Sequence, residues 1–293
     1  NGDYVNLGTF NFGGAPALNA APASNAPAQT GGILWVGSRS MTNGSGATIN
    51  AGGGTLASVS APTPMSINRY YLDAELRNYG TLNVSSDLTV TMPGKTHTST
   101  GTININGGGM NVLEDLSNSG VINLDGVVLS MASPLAPTQR GHGAWIQANL
   151  LTNQPGGTLN VLATAAAGAS LEAQLLNQGT LNVNAPLTIT KPTAVHTSTG
   201  TVNLNGGFIN VLEDFTNLGT FNFGGAPALN AAATPNAPAQ TQGVLWAGSR
   251  SMTNGPGGNI IVGTLSTLAA AGSDAPTPMS INQYYIDAEL RNY

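Results

Sequence analysis

Short runs of alternating apolar and polar residues recur along this chain at near-regular spacing. In Thr81-Leu82-Asn83-Val84, the alternation puts Leu82 and Val84 on one face of a strand and Thr81 and Asn83 on the other. Ile103/Ile105, Ile122/Leu124, Leu159/Val161, Leu181/Val183 and Val202/Leu204 repeat the pattern. A helical reading fails, because Gly, Pro, Thr and Asn recur too often for a stripe of 3.6-residue period to persist. Each run follows a phrase Asn-x-Gly-Thr, anchored at Asn6, Asn78, Asn177 and Asn217. Weaker versions start at Asn43, Asn118, Asn153 and Asn254, two begin with Ser99 and Ser198, and a last interval ends at Asn292.

Successive anchors are 37, 35, 21, 19, 35, 24, 21, 19, 37 and 38 residues apart. A unit of about 20 residues is therefore lengthened by insertions in some copies, the usual sign of a solenoid. Four units make a higher-order repeat, in which Gly8 returns as Gly120 and Gly219 and Trp35 returns as Trp145 and Trp246. No strand this short buries its apolar face alone. Stacking equivalent strands in parallel, about 4.8 Å apart, buries each inward residue against its counterpart one coil away. We therefore expect an all-β parallel β-helix of about ten coils of roughly 20 residues. It should run as one unit over 1–293, with super-repeats at about 6–117, 118–216 and 217–293. The pattern is cut at both ends, and we expect the chain to be a window of a longer array.

The anchors Asn78, Asn118, Asn177 and Asn217 mark coil corners. There Asn can bond its own backbone, and the glycine two residues later suits a positive φ. Thr81, Thr180 and Thr220 should stack in one outward row and Asn83, Asn182 and Asn222 in another, with hydrogen bonds along the rows. A second strand precedes the anchor, and its position two residues before the anchor should form an inward column. That column reads Met41, Leu76, His97, Leu116, Leu151, Leu175, His196, Phe215, Met252 and Leu290. The Ala/Pro-rich stretches Ala15–Thr30, Ala61–Asn68 and Ala226–Thr241 fit lateral loops, since proline cannot serve a central ladder.

Composition narrows the functional classes. Only 7% of the 293 residues are charged, so the Thr and Asn rows dominate the polar chemistry. Eight scattered basic residues against 13 acidic ones make no footprint for nucleic acid. There is no cysteine, which removes thiolate metal sites, disulfides and cysteine nucleophiles together. No apolar run is long enough to span a bilayer as a helix.

Candidate sites resolve into scaffold. His97 and His196 could be ligands or acid–base groups, yet they fall in a column otherwise made of Leu, Met and Phe. Glu114-Asp115 returns as Glu213-Asp214 and Asp73/Glu75 as Asp287/Glu289, whereas an active site occurs once. Four residues before the anchors, Lys95 falls beside Glu114 and Glu213 beside Arg250, which predicts inter-coil ion pairs there. Strict alternation would bury that position, so either a bulge turns it outward or the pairs are partly buried. Gly107-Gly108-Gly109-Met110-Asn111 lacks the Asp of a calcium β-roll, and no phosphate loop or Gly-x-Ser-x-Gly elbow occurs. The three Trp fit packing better than a repeated sugar-stacking surface. We expect no catalytic residue, cofactor or metal.

The phrase Leu76-Arg77-Asn78-Tyr79-Gly80-Thr81-Leu82-Asn83-Val84 resembles the repeats of filamentous-haemagglutinin-like and autotransporter-like bacterial surface proteins. The resemblance implies a right-handed parallel β-helix, export to the cell surface or beyond, and a role in adhesion, biofilm or a surface coat. The expected function is thus a structural or adhesive extracellular fibre that self-associates end-to-end or laterally and meets surface carbohydrate. The alternatives are a carbohydrate-binding or carbohydrate-cleaving β-helix and an ice-binding solenoid using the Thr and Asn rows.

Overall fold

A computed structural model describes residues 2–12, 33–52, 69–126, 143–162, 168–205, 208–224, 244–262 and 283–293. Every described element is a β-strand, and every described strand pairing is parallel. The chain coils into a parallel β-helix with two sheets running along its axis. One sheet, the ladder sheet, holds ten strands in strict chain order from Thr9–Phe12 to Asn259–Val262. The broad sheet supplies the rest of each coil. In longer coils its contribution is one strand, as in Arg69–Asn78 and Ala169–Asn177. In shorter coils it breaks in two, as in Asp87–Thr91 and Thr96–Ser99.

Register follows from side-chain period. Leu82 sits beside Ile103, Ile103 beside Ile122, and Ile122 beside Leu159, each fully buried. Their neighbours Val84, Ile105, Leu124 and Val161 form a second buried column. A one-residue slip would turn both columns outward at once, and each buried Leu or Ile side chain contributes about 1.5–3 kcal/mol. The broad sheet closes the core with the column two residues before the anchor, buried from Met41 through Met252. At the last coil Leu290 is half exposed.

The corners hold two corrections. Gly80, Gly101, Gly120, Gly179, Gly200 and Gly219 do not have positive φ. They are glycine because the coils approach too closely for anything larger. A Cβ on Gly120 would lie 2.0 Å from the Gly101 carbonyl oxygen, and one on Gly200 would lie 2.1 Å from that of Gly179. The anchor side chains also do more than bond their own backbone: they point inward and are buried. Asn6 Nδ2 donates to Asn43 Oδ1, Asn43 to Asn78 and Asn78 to Ser99 Oγ, forming an internal amide ladder.

The internal stretches outside the described residues all fall, in sequence, between a ladder-sheet strand and the next broad-sheet strand. The expected lateral loops Ala15–Thr30, Ala61–Asn68 and Ala226–Thr241 lie outside the described residues.

Candidate functional site

Three regions carry repeated polar chemistry: the outward face of the ladder sheet, the clusters around His97 and His196, and the pockets of charge at Arg39 and Arg250.

On the ladder sheet, Asn11, Asn50, Asn83, Asn104, Asn123, Asn160, Asn182, Asn203 and Asn222 occupy one column. Each later residue donates its Nδ2 to the Oδ1 of the one before, at 2.8–2.9 Å throughout. This external ladder runs opposite to the internal one, where the earlier coil donates. The expected Thr row stands beside it as Thr9, Thr48, Thr81, Thr102, Val121, Thr158, Thr180, Thr201, Thr220 and Asn259. Among the ladder-sheet strands only Asp125, at a strand end, is charged. Apart from Asp125, which lies on the same outward side as Asn123, the face is a lattice of hydroxyls and pre-bonded amides.

The histidines answer a backbone problem. Strand Arg69–Asn78 pairs with Asp87–Thr91 as far as Asp73 and with Thr96–Ser99 only from Arg77 onward. Between them the next coil spends residues on a turn closed by Lys95 N–H to the Met92 carbonyl. The Leu76 N–H thereby loses its ladder acceptor, and His97 Nδ1 takes its place at 3.0 Å. The same gap follows strand Ala169–Asn177, where His196 Nδ1 accepts the Leu175 N–H at 3.1 Å. With Nδ1 accepting, the neutral ring carries its proton on Nε2.

The two copies part at that proton. His97 Nε2 donates to Glu114 Oε2 at 3.1 Å, and Glu114 also accepts from Thr91 Oγ1 and the Met92 N–H. His196 Nε2 is buried with no partner, and burial lowers the pKa of that ring below its ordinary 6.5 against the opposing pull of Glu213. The next coil explains the difference. Glu213 is followed in its column by Arg250, whose Nη1 lies 3.2 Å from Glu213 Oε2. Glu114 is followed by Asn149, which donates to the Leu113 carbonyl and leaves Glu114 to the histidine.

The expected pair of Glu213 and Arg250 is therefore in contact. The expected pair of Lys95 and Glu114 is absent from the ion pairs of the described residues, because His97 and the turn at Met92 occupy Glu114; Lys95 acts electrostatically on Glu75 in the preceding coil. Outward placement of Arg39 and Arg250 comes from register shifts between Gly37 and Ser40 and between Gly248 and Ser251. Where the strand is regular, Ala74 and Ala173 fill the same position and are buried.

Sequence reasoning missed a duplicated triad. Arg39 binds Asp3 through Nε and Nη2 while Ser40 donates to the same carboxylate; Arg250 and Ser251 hold Asp214 likewise. Hydrogen bonds from Arg250 and Ser251 bring the Asp214 pKa down to about 2. The repeated phrase Gly-Ser-Arg-Ser carried the signal, but the bulge that aims the arginine was not visible in it.

No family model, curated protein or solved structure matches this chain. The site is therefore read from its own geometry. Among the described residues no three His, Asp or Glu side chains group to hold a metal ion, and no helix is long and apolar enough to cross a membrane. Trp145 packs against the preceding coil, where a Cβ on Gly109 would fall 1.8 Å from its Cε2. This favours packing for that residue; the side chains of Trp35 and Trp246 lie outside the described set.

Proposed function

We propose that this chain is a structural and adhesive element of an extracellular fibre, matrix or surface coat, and that its working part is the stacked scaffold. One observation carries the reading: the polar clusters are copied with the scaffold. The His97–Leu76 bond returns as His196–Leu175, and the Asp3–Arg39–Ser40 triad returns as Asp214–Arg250–Ser251. Duplication of this kind extends length at constant cross-section, which serves a fibre. The uncharged Thr and Asn rows add a long regular face for adhesion.

Electron microscopy of material from the native source tests the reading. Filaments or a surface layer labelled by an antibody to this chain are the expected result. Isolated monomers alone would overturn it.

A further inference from the structure

We propose that the Thr/Asn face of the ladder sheet docks against the same face of a second copy of this chain, antiparallel and in full overlap. The inference rests on the fibre reading and names the surface through which it associates laterally.

Charge selects the face. The chain has a net charge of −5, so two copies repel least where they meet across the fewest charges. Asp3, Arg39, Asp73, Glu75, Arg77, Lys95, Glu114, Asp115, Lys191, Glu213, Asp214 and Arg250 all lie on the broad sheet or its turns. The ladder sheet carries Asp125 alone, on the outward side but at the strand end, beyond the Thr and Asn rows.

Commensurability selects the partner. A second copy has the same axial repeat, so a contact made at one coil recurs at every coil without accumulated mismatch. Ten coils at about 4.8 Å make a face roughly 45 Å long. With a width of about 13 Å, the pair would bury on the order of 1,200 Å² in total, the lower bound of specific interfaces. Little side-chain freedom is lost, because each amide from Asn11 to Asn222 is already held by its neighbours. Each Asn retains a second amide hydrogen and an oxygen lone pair, and each Thr a hydroxyl, to interdigitate as in a dry Asn/Thr zipper.

Polarity selects the orientation. All eight external ladder bonds point the same way, so facing ladders attract when antiparallel and repel when parallel. A two-fold axis between the fifth and sixth coils gives full overlap and sets Val121 of one copy opposite Thr158 of the other.

Sedimentation velocity over a concentration series tests this with the 293-residue chain. A triple variant Thr102→Glu, Thr158→Glu, Thr201→Glu should associate at least about tenfold more weakly than wild type. A control with Thr98→Glu, Thr152→Glu and Thr197→Glu, on the broad sheet, should associate as wild type does. Because the triple variant risks misfolding, single-cysteine chains give a second readout, clean because the parent has no cysteine. Mixed Val121→Cys and Thr158→Cys chains should form a disulfide-linked heterodimer on oxidation, and Thr152→Cys chains should form no linked dimer. Unchanged association of a folded triple variant, or failure of the mixed Val121→Cys and Thr158→Cys chains to cross-link, overturns this face while leaving the fibre intact. A wild-type chain monomeric throughout, with native filaments absent, overturns both. A monomeric chain that shows thermal hysteresis overturns self-docking and gives the face to ice.

Discussion

His196 accepts the Leu175 N–H on Nδ1 at 3.1 Å, and its buried Nε2 meets no partner. Its counterpart His97 makes the equivalent bond to Leu76 and also donates from Nε2 to Glu114. One motif, copied, thus stands in two electrostatic settings chosen by the coil that follows.

Replacing the histidines by leucine should separate those settings. His97→Leu orphans the Leu76 N–H and removes a charge-assisted bond to Glu114, a loss of about 2–4 kcal/mol. His196→Leu orphans the Leu175 N–H but also deletes an unpaired buried donor, so it should cost about 1–2 kcal/mol. Urea unfolding midpoints of the two variants check the order; a larger loss for His196→Leu would contradict it.

Burial lowers the His196 pKa, so the unfolded chain takes up a proton on this residue before the folded chain does. Its contribution to stability is complete above the unfolded value of 6.5 and is lost as pH falls toward the folded value. Asp214 behaves alike at lower pH: its contribution holds above the ordinary 3.8 and disappears as pH falls through about 2. Unfolding midpoints should decline from about pH 6.5 downward, and the first part of that decline should flatten in His196→Leu.

Removing Arg250 should return Glu213 to the histidine. Arg250→Met breaks an exposed, solvent-screened ion-pair cluster, so overall stability should change little. Glu213 is then free to accept from His196 Nε2, as Glu114 does from His97. The His196 Nε2–H proton resonance should move toward that of His97, while an unchanged shift would show that Glu213 does not swing inward.

Glycines needed for different reasons should respond to different remedies. Gly156 has φ +83 with open space around it, so Gly156→Asn should be tolerated better than Gly156→Ala. Gly120 faces the Gly101 carbonyl, so Ala and Asn there should both cost about 1–3 kcal/mol or more. Thermal unfolding of the four variants decides this.

The two amide ladders should differ in cost. Asn182→Leu breaks bonds to Asn160 and Asn203 on a face that water reaches, about 1–2 kcal/mol. Asn153→Leu leaves the Asn118 amide, the Asn177 Oδ1 and the Thr180 carbonyl without their buried partner, about 3 kcal/mol or more. Chemical denaturation of both variants measures the gap.

Much of this architecture was legible in the chain itself. Alternation in Thr81–Val84 and its copies determined which side chains face inward, because a strand has a period of two and an apolar face must be buried. Anchor spacing determined which residues stack, so the column from Met41 to Met252 and the contact of Glu213 with Arg250 were readable without coordinates. What alternation does not encode is the backbone between aligned positions. The gap that His97 and His196 fill arises when a continuous strand is followed by a coil broken by a turn, a mismatch between neighbouring coils. The bulge that turns Arg250 outward, the carbonyl that forbids a side chain at Gly120, and the choice of Glu114 for His97 over Lys95 likewise depend on distances between successive coils. Those distances exist only once the coils are stacked.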